Sequence, residues 1–128
     1  MHAIDTNIVV RYLTADHPEQ YARALALIKN HEVFVATTVF LECEWVLRRA
    51  YGLSAQQICD ALRHFAGLPT VSVESPELLA GALDNVEAGM DFADALHLGA
   101  AAQCESMKTF DRKFIQAAKT SAVPVEEP

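Results

Sequence analysis

The feature that most constrains this chain is an alternation in which short apolar runs of strand length are each followed by a longer stretch of helical period. Residues 2–4 precede a helix over 7–14, residues 33–36 precede one from about 39 to 51, and residues 71–73 precede the helix carrying Leu78, Leu79 and Leu83. A fourth run, 108–110, precedes a helix over 112–119, and 123–125 reads as an edge strand because Pro124 cannot donate to a ladder. Between these lie further helices. Asp16, with Pro18 and Glu19 behind it, predicts a cap and a helix to about residue 29; Thr37 or Thr38 predicts the cap of the next. Ser54 with Gln57 predicts a capping box and a helix to about 65, Ser75 and Pro76 start the leucine-bearing helix, and another runs over about 92–104. Strand-helix repetition of this kind implies an α/β fold, with a short, mostly parallel sheet covered by helices on both faces.

Size and composition narrow the reading. With 128 residues, 52% of them hydrophobic, the chain has the size of one domain, residues 1–128. Cys43, Cys59 and Cys104 form neither a C-x-x-C pair nor a zinc pattern, and fit thiols in a reducing cytosol. The N-terminal residues lack a basic segment followed by an apolar one, and no apolar run approaches membrane-spanning length. A cytoplasmic protein is therefore expected, with no membrane partner. Ten Lys and Arg against seventeen Asp and Glu give a net charge of −7, the wrong sign for simple adhesion to nucleic acid. A bound divalent cation would offset part of that charge locally.

In parallel α/β sheets ligands gather beyond the carboxyl ends of the strands. Asp5 follows the first strand, Glu42 lies early in the helix after the second, Asp111 follows the fourth, and Asp91 and Asp94 begin the helix before that strand. Each has an ordinary reading as a helix cap or a dipole-matched charge. As a set they say more, because one parallel sheet would bring Asp5, Glu42, Asp94 and Asp111 to a single edge. Carboxylates about 4 Å apart repel by roughly 4 kcal/mol per pair at an effective dielectric near 20, so such a cluster calls for protonation or a cation. Mg²⁺ or Mn²⁺, which prefer oxygen ligands, would fit.

The segments "IDTNIVVRYL", "TTVFLECEWVL", "DFADALHLGAA" and "TFDRKF" occur in the order and approximate spacing of the PIN-domain motifs. The chain thus resembles PIN-domain ribonucleases of the VapC toxin type. That resemblance implies a PIN-like three-layer α/β/α fold and a Mg²⁺- or Mn²⁺-dependent endoribonuclease. It implies that Asp5, Glu42, Asp94 and Asp111 are the four acidic site residues. Asp91 is an additional ligand or a cap; Thr6, Asn7 and Thr109 are candidates for orienting carboxylates or water. The resemblance further implies an RNA substrate, a homodimer, and a small VapB-like antitoxin that forms a hetero-oligomer with the chain and alone contacts operator DNA. The antitoxin's basic side chain would enter the acidic pocket from a groove beside Trp45 and Phe92.

Other residues are weighed beside these. Arg11, Arg48, Arg49, Lys108, Arg112 and Lys113 are candidates for phosphate contacts, Arg49 and Arg112 above the rest, while Arg48 can pair with Glu44 four residues back. Trp45 suits a core or interface more readily than a stacked base, and His97 reads as structural rather than as a general base. No nucleophile elbow, Cys-His pair or glycine-rich phosphate loop is present. Two alternatives stand beside the nuclease: a PIN-fold protein-binding module without catalysis, and a receiver-like metal-binding domain. The latter lacks an acceptor Asp after the third strand, where Glu74-Ser75 stands.

Overall fold

Three of the apolar runs are strands, and they pair side by side in chain order. A computed structural model describes residues 1–128, which gather into two compact units, Met1–Pro76 and Glu77–Pro128. The first contains β1 (His2–Ala3), α1 (Thr6–Thr14), α2 (Pro18–Asn30), β2 (Val33–Val35), α3 (Thr37–Arg49), α4 (Ala55–Ala66) and β3 (Val71–Val73). The second contains α5 (Pro76–Glu87), α6 (Phe92–Ala100), β4 (Met107–Lys108), α7 (Arg112–Ala117) and β5 (Val125–Glu126). This is the helix-rich α/β class that the alternation implied, and every strand pairing is parallel.

In the first unit the sheet order is β1-β2-β3, with His2 opposite Val33 and Val33 opposite Val71. Parallel neighbours need a crossover, and α1 with α2, then α3 with α4, provide the two. Val33, Val35, Phe40, Leu47, Leu62 and Phe65 are fully or almost fully buried, so the central strand and the inner helix faces form the core. Helix α1 packs on α2 and α3, and α4 packs on α3 and β3.

The second unit has a separate two-stranded sheet, β4-β5. Met107 N donates to Pro124 O at 2.8 Å and Thr109 N to Glu126 O at 3.1 Å, while Lys108 Nζ meets Glu126 Oε1 at 2.8 Å. The strands form two sheets where a single one was expected: β4 pairs with β5, while Asp5 and Glu42 follow strands of the other sheet. Asp91, Asp94 and Asp111 are organised by the second unit's own helix starts.

Several helix boundaries differ from expectation for physical reasons. Pro18 forces the residue before it into extended backbone, so His17, at φ −127° and ψ 94°, caps α2 and its Nδ1 accepts from Gln20 N at 3.2 Å. Asp16 does not cap. It accepts instead from Tyr51 Oη at 2.6 Å and Thr14 Oγ1 at 2.8 Å. Neither Thr37 nor Thr38 caps α3, whose N-cap position is Ala36 with no side-chain bond. The β2-β3 pairing places Glu74 at that helix start, and its Oε1 accepts from Thr37 N at 2.8 Å. Helix α6 ends at Ala100, where the Ala101 N–H is shared between the His97 and Leu98 carbonyls, and the chain turns earlier than residue 104. The capping box at Ser54 and Gln57 is present in both directions.

Gly89 has a positional role. At φ 105° it closes α5 while Gly89 N bonds Val86 O and Met90 N bonds Asn85 O, a turn that delivers the chain to Asp91.

These contacts predict an unequal set of cap losses. Ser54→Ala and Glu74→Ala should each cost about 1 kcal/mol of stability, whereas Thr38→Ala should stay within about 0.5 kcal/mol. Urea unfolding of the three variants checks this, and a Thr38 loss equal to that of Glu74 would contradict the assigned cap.

Candidate metal centre

The first unit brings two of the sequence-selected acids into one neighbourhood. Asp5 is the N-cap of α1, its Oδ1 accepting from Ile8 N at 3.4 Å, and the next residue, Thr6, donates its hydroxyl to Glu42 Oε1 at 3.1 Å. Thr6 therefore ties the start of α1 to the middle of α3. The buried Cys43 thiol reports both charges: burial, followed by the Glu42 and Asp5 carboxylates, pushes it up to about 12. Such a thiol is inert at neutral pH. Asp5 and Asn7 line a cavity of about 490 Å³ with Arg11, Gln20, Arg23 and the apolar Ile8, Ala24 and Leu27. Arg11 is already engaged, with Nε at 2.7 Å from Gln20 Oε1, Nη1 at 3.4 Å from Tyr51 Oη and 3.6 Å from Asp16.

Three further acids come together in the second unit. Asp91, Asp94 and Asp111 line a cavity of about 370 Å³ with Lys113, Phe114, Met90, Gly89 and Ala117. Asp91 caps α6, its Oδ2 accepting from Asp94 N at 3.1 Å. Asp111 caps α7, its Oδ1 accepting from Lys113 N at 2.9 Å and Phe114 N at 3.3 Å, and Thr109 Oγ1 accepts from Asp111 N at 3.0 Å. Asp94 is half-buried and its carboxyl is held above the ordinary carboxylate range, by burial first and then by the Asp91 and Asp111 charges, with His97 opposing. His97 itself is exposed.

The cap and ligand readings of these acids prove compatible. Asp5, Asp91 and Asp111 each commit one oxygen to a helix start and Glu42 commits one to Thr6, leaving the other oxygen of each without a protein hydrogen bond. Asp94 accepts none. No group of three or more His, Cys, Asp and Glu side chains stands close enough together to hold one metal ion. The donor chemistry nevertheless suits a hard divalent ion, since the available groups are all carboxylate oxygens and an adjacent cation would relieve the repulsion felt by Asp94.

The cations fall differently from the sequence reading. Arg112 is exposed, lies 4.0 Å from Glu127, and lines a different cavity with Ile115, Gln116 and Val125; Lys113, ranked below it, is the basic residue on the acidic cavity. One step along the first turn of α7 rotates a side chain by about 100°, which sequence adjacency to Asp111 does not convey. Arg49 sits 6.0 Å from the Trp45 ring centroid, and Trp45 is 55% exposed, so it is not core. Arg48 pairs with the buried Glu44 at 2.8 Å, as its spacing suggested. Phe92 is buried and cannot line a groove, a correction to its expected role.

The PIN domain profile matches residues 3–120, which include Asp5, Glu42, Asp91, Asp94 and Asp111. The chain belongs to the PIN domain family. PIN domains are in general nucleases, hydrolases of nucleic acid, and typically use divalent metal ions. None of the curated proteins matches the chain. No helix is long and apolar enough to cross a membrane.

The Cys43 environment yields a pH prediction. Its folded value lies above the unfolded one of about 9, so this contribution to stability is complete below pH 9 and is lost as pH rises toward about 12. Wild type should therefore lose stability steadily over that window and Cys43→Ala should show a shallower slope, measured by thermal unfolding across alkaline pH. A thiol reagent at neutral pH should modify the exposed Cys104 and leave the buried Cys43 and Cys59 until the chain unfolds.

Proposed function

We propose that this PIN-domain protein is a Mg²⁺- or Mn²⁺-dependent endoribonuclease of the VapC type, the toxin of a toxin-antitoxin pair that inhibits growth by RNA cleavage. The observation that carries this reading is the division of labour within the Asp5, Glu42, Asp91 and Asp111 carboxylates, one oxygen engaged by the protein and one left open. Asp5, Glu42, Asp94 and Asp111 would hold the ion, with Asp91 as an auxiliary. When bound, the divalent ion supplies Lewis-acid polarisation of a phosphodiester and lowers the pKa of water for hydrolysis.

The chain's own groups do the positioning. Asp5, Asp91 and Asp111 stand at helix N-termini, where the cap hydrogen bonds hold one carboxylate oxygen of each in place. Thr6 fixes the Glu42 carboxylate, Thr109 fixes the backbone at Asp111, and the Lys113 ammonium on the acidic cavity can meet a phosphate. A neighbouring antitoxin is proposed to inhibit by placing an Arg or Lys among the same carboxylates, with Trp45 as the apolar contact. The toxin is proposed to act as a homodimer and to reach operator DNA only through the antitoxin.

Purified protein should cleave single-stranded RNA with Mg²⁺ or Mn²⁺ and stop on chelation. Losing a partner that merely orients a metal ligand costs roughly 10- to 100-fold. Thr6→Val and Thr109→Val should fall in that range, and Asp5→Asn, Glu42→Gln, Asp94→Asn and Asp111→Asn should exceed it. If the four acids serve one centre, Asp5→Asn combined with Asp94→Asn should lose little more than either alone. Metal-independent cleavage, or full activity in two of the four acid variants, would reject the metal centre; no cleavage of any RNA would favour a protein-binding PIN module. Light scattering at micromolar concentration should give the mass of a dimer.

A further inference from the structure

The most exposed of the large apolar side chains is not on a helix face but beside an acid. Phe110 is 81% exposed, more than Met1 or Trp45, and directly precedes Asp111 in the short turn between β4 and α7. Its neighbours in sequence are held: Thr109 N bonds Glu126 O on one side, and Asp111 N bonds Thr109 Oγ1 while its carboxylate caps α7 on the other. The backbone carrying the ring is thus fixed at both ends. Burying a Phe side chain is favourable, a gain the folded chain leaves unused here.

We propose that Phe110 is a stacking platform for a base of the RNA, next to the phosphate that Lys113 meets, and so a positioning and specificity residue of the cleavage reaction. The proposal rests on the ribonuclease reading above. Three features favour a nucleobase over a protein surface. Phe110 stands one residue from an acid of the cavity, and Lys113, two residues beyond that acid, lines the same cavity. Aromatic ring, carboxylate and ammonium follow at intervals of one and two residues on fixed backbone, a span within the reach of adjacent nucleotides. The chain's net charge of −7 also leaves little general attraction for phosphates, so stacking, which is indifferent to charge and tolerant of sequence, must supply affinity that a basic surface would supply elsewhere.

Stacking makes demands that simple greasiness does not. Phe110→Leu keeps apolar area but removes the π face, whereas Phe110→Tyr and Phe110→Trp keep it. Phe110 is exposed, so none of these changes should disturb folding, and thermal unfolding checks that they do not. The decisive measurement is binding of a single-stranded RNA containing 2-aminopurine, with Mg²⁺ present, in an Asp94→Asn background. Base-aromatic stacking is worth roughly 5- to 150-fold in affinity. Phe110→Ala and Phe110→Leu should lose affinity within that range and lose the fluorescence quenching, while Phe110→Tyr and Phe110→Trp retain both. In the otherwise wild-type protein the same Ala and Leu variants should raise KM more than they lower kcat and should change which phosphodiesters are cut. Equal RNA affinity in Phe110→Ala, or equal affinity in the Leu and Tyr variants, overturns the proposal. So does a change in dimer mass with RNA binding intact, which would make Phe110 a protein contact. The nuclease reading fails separately: wild type would then cut no RNA, whatever the Phe110 variants do to binding.

Discussion

The arrangement of the acids depends on one constraint, the need of a helix to satisfy its first N–H groups. A strand that passes directly into a helix leaves those donors without partners at the point where the backbone must leave extended geometry. Asp5 and Asp111 meet that need at the starts of α1 and α7, a short step after β1 and β4, and Asp91 meets it at the start of α6. A capping carboxylate has a fixed rotamer, a nearby positive dipole and a second oxygen with nothing to do. The cap role of such an Asp therefore leaves an oxygen open and does not exclude the ligand role proposed for it.

The remaining acids are positioned by tertiary means. Glu42 is mid-helix, where no backbone donor is available, and it is fixed by the Thr6 hydroxyl across the α1-α3 contact. Asp94 lies in the first turn of α6 and takes no hydrogen bond, so burial and the adjacent charges act on it unopposed except by His97. A cation beside it would offset the burial and the like charges that hold it above the ordinary carboxylate range. Cys43 experiences the same kind of field from Asp5 and Glu42 in a fully buried position, which makes it a spectator rather than a nucleophile.

Much of this was legible in the chain itself. Apolar runs followed by helical periods specified strand and helix in the right order, and the capping box at Ser54 and Gln57 was readable because both partners lie within one turn. The spacing of Glu44 and Arg48 gave their ion pair for the same reason. The acids stood out because Asp after a strand is a local signal, and the PIN motifs that contain them run nearly the length of the chain.

What the sequence by itself determined was therefore whatever rests on neighbours within about a turn: element type, most caps, and which carboxylates begin helices. Only the tertiary structure decided that Glu74 caps α3, that β4 pairs with β5, that Lys113 rather than Arg112 lines the acidic cavity, and that Phe92 is buried while Phe110 is not. Glu74 reaches α3 across 37 positions of sequence, and β4 finds β5 across a helix. The physical reason is range. Short-range hydrogen bonds and side-chain period are written in local order, whereas strand partnership and the burial of one aromatic over another depend on the simultaneous packing of distant segments, which no local window contains.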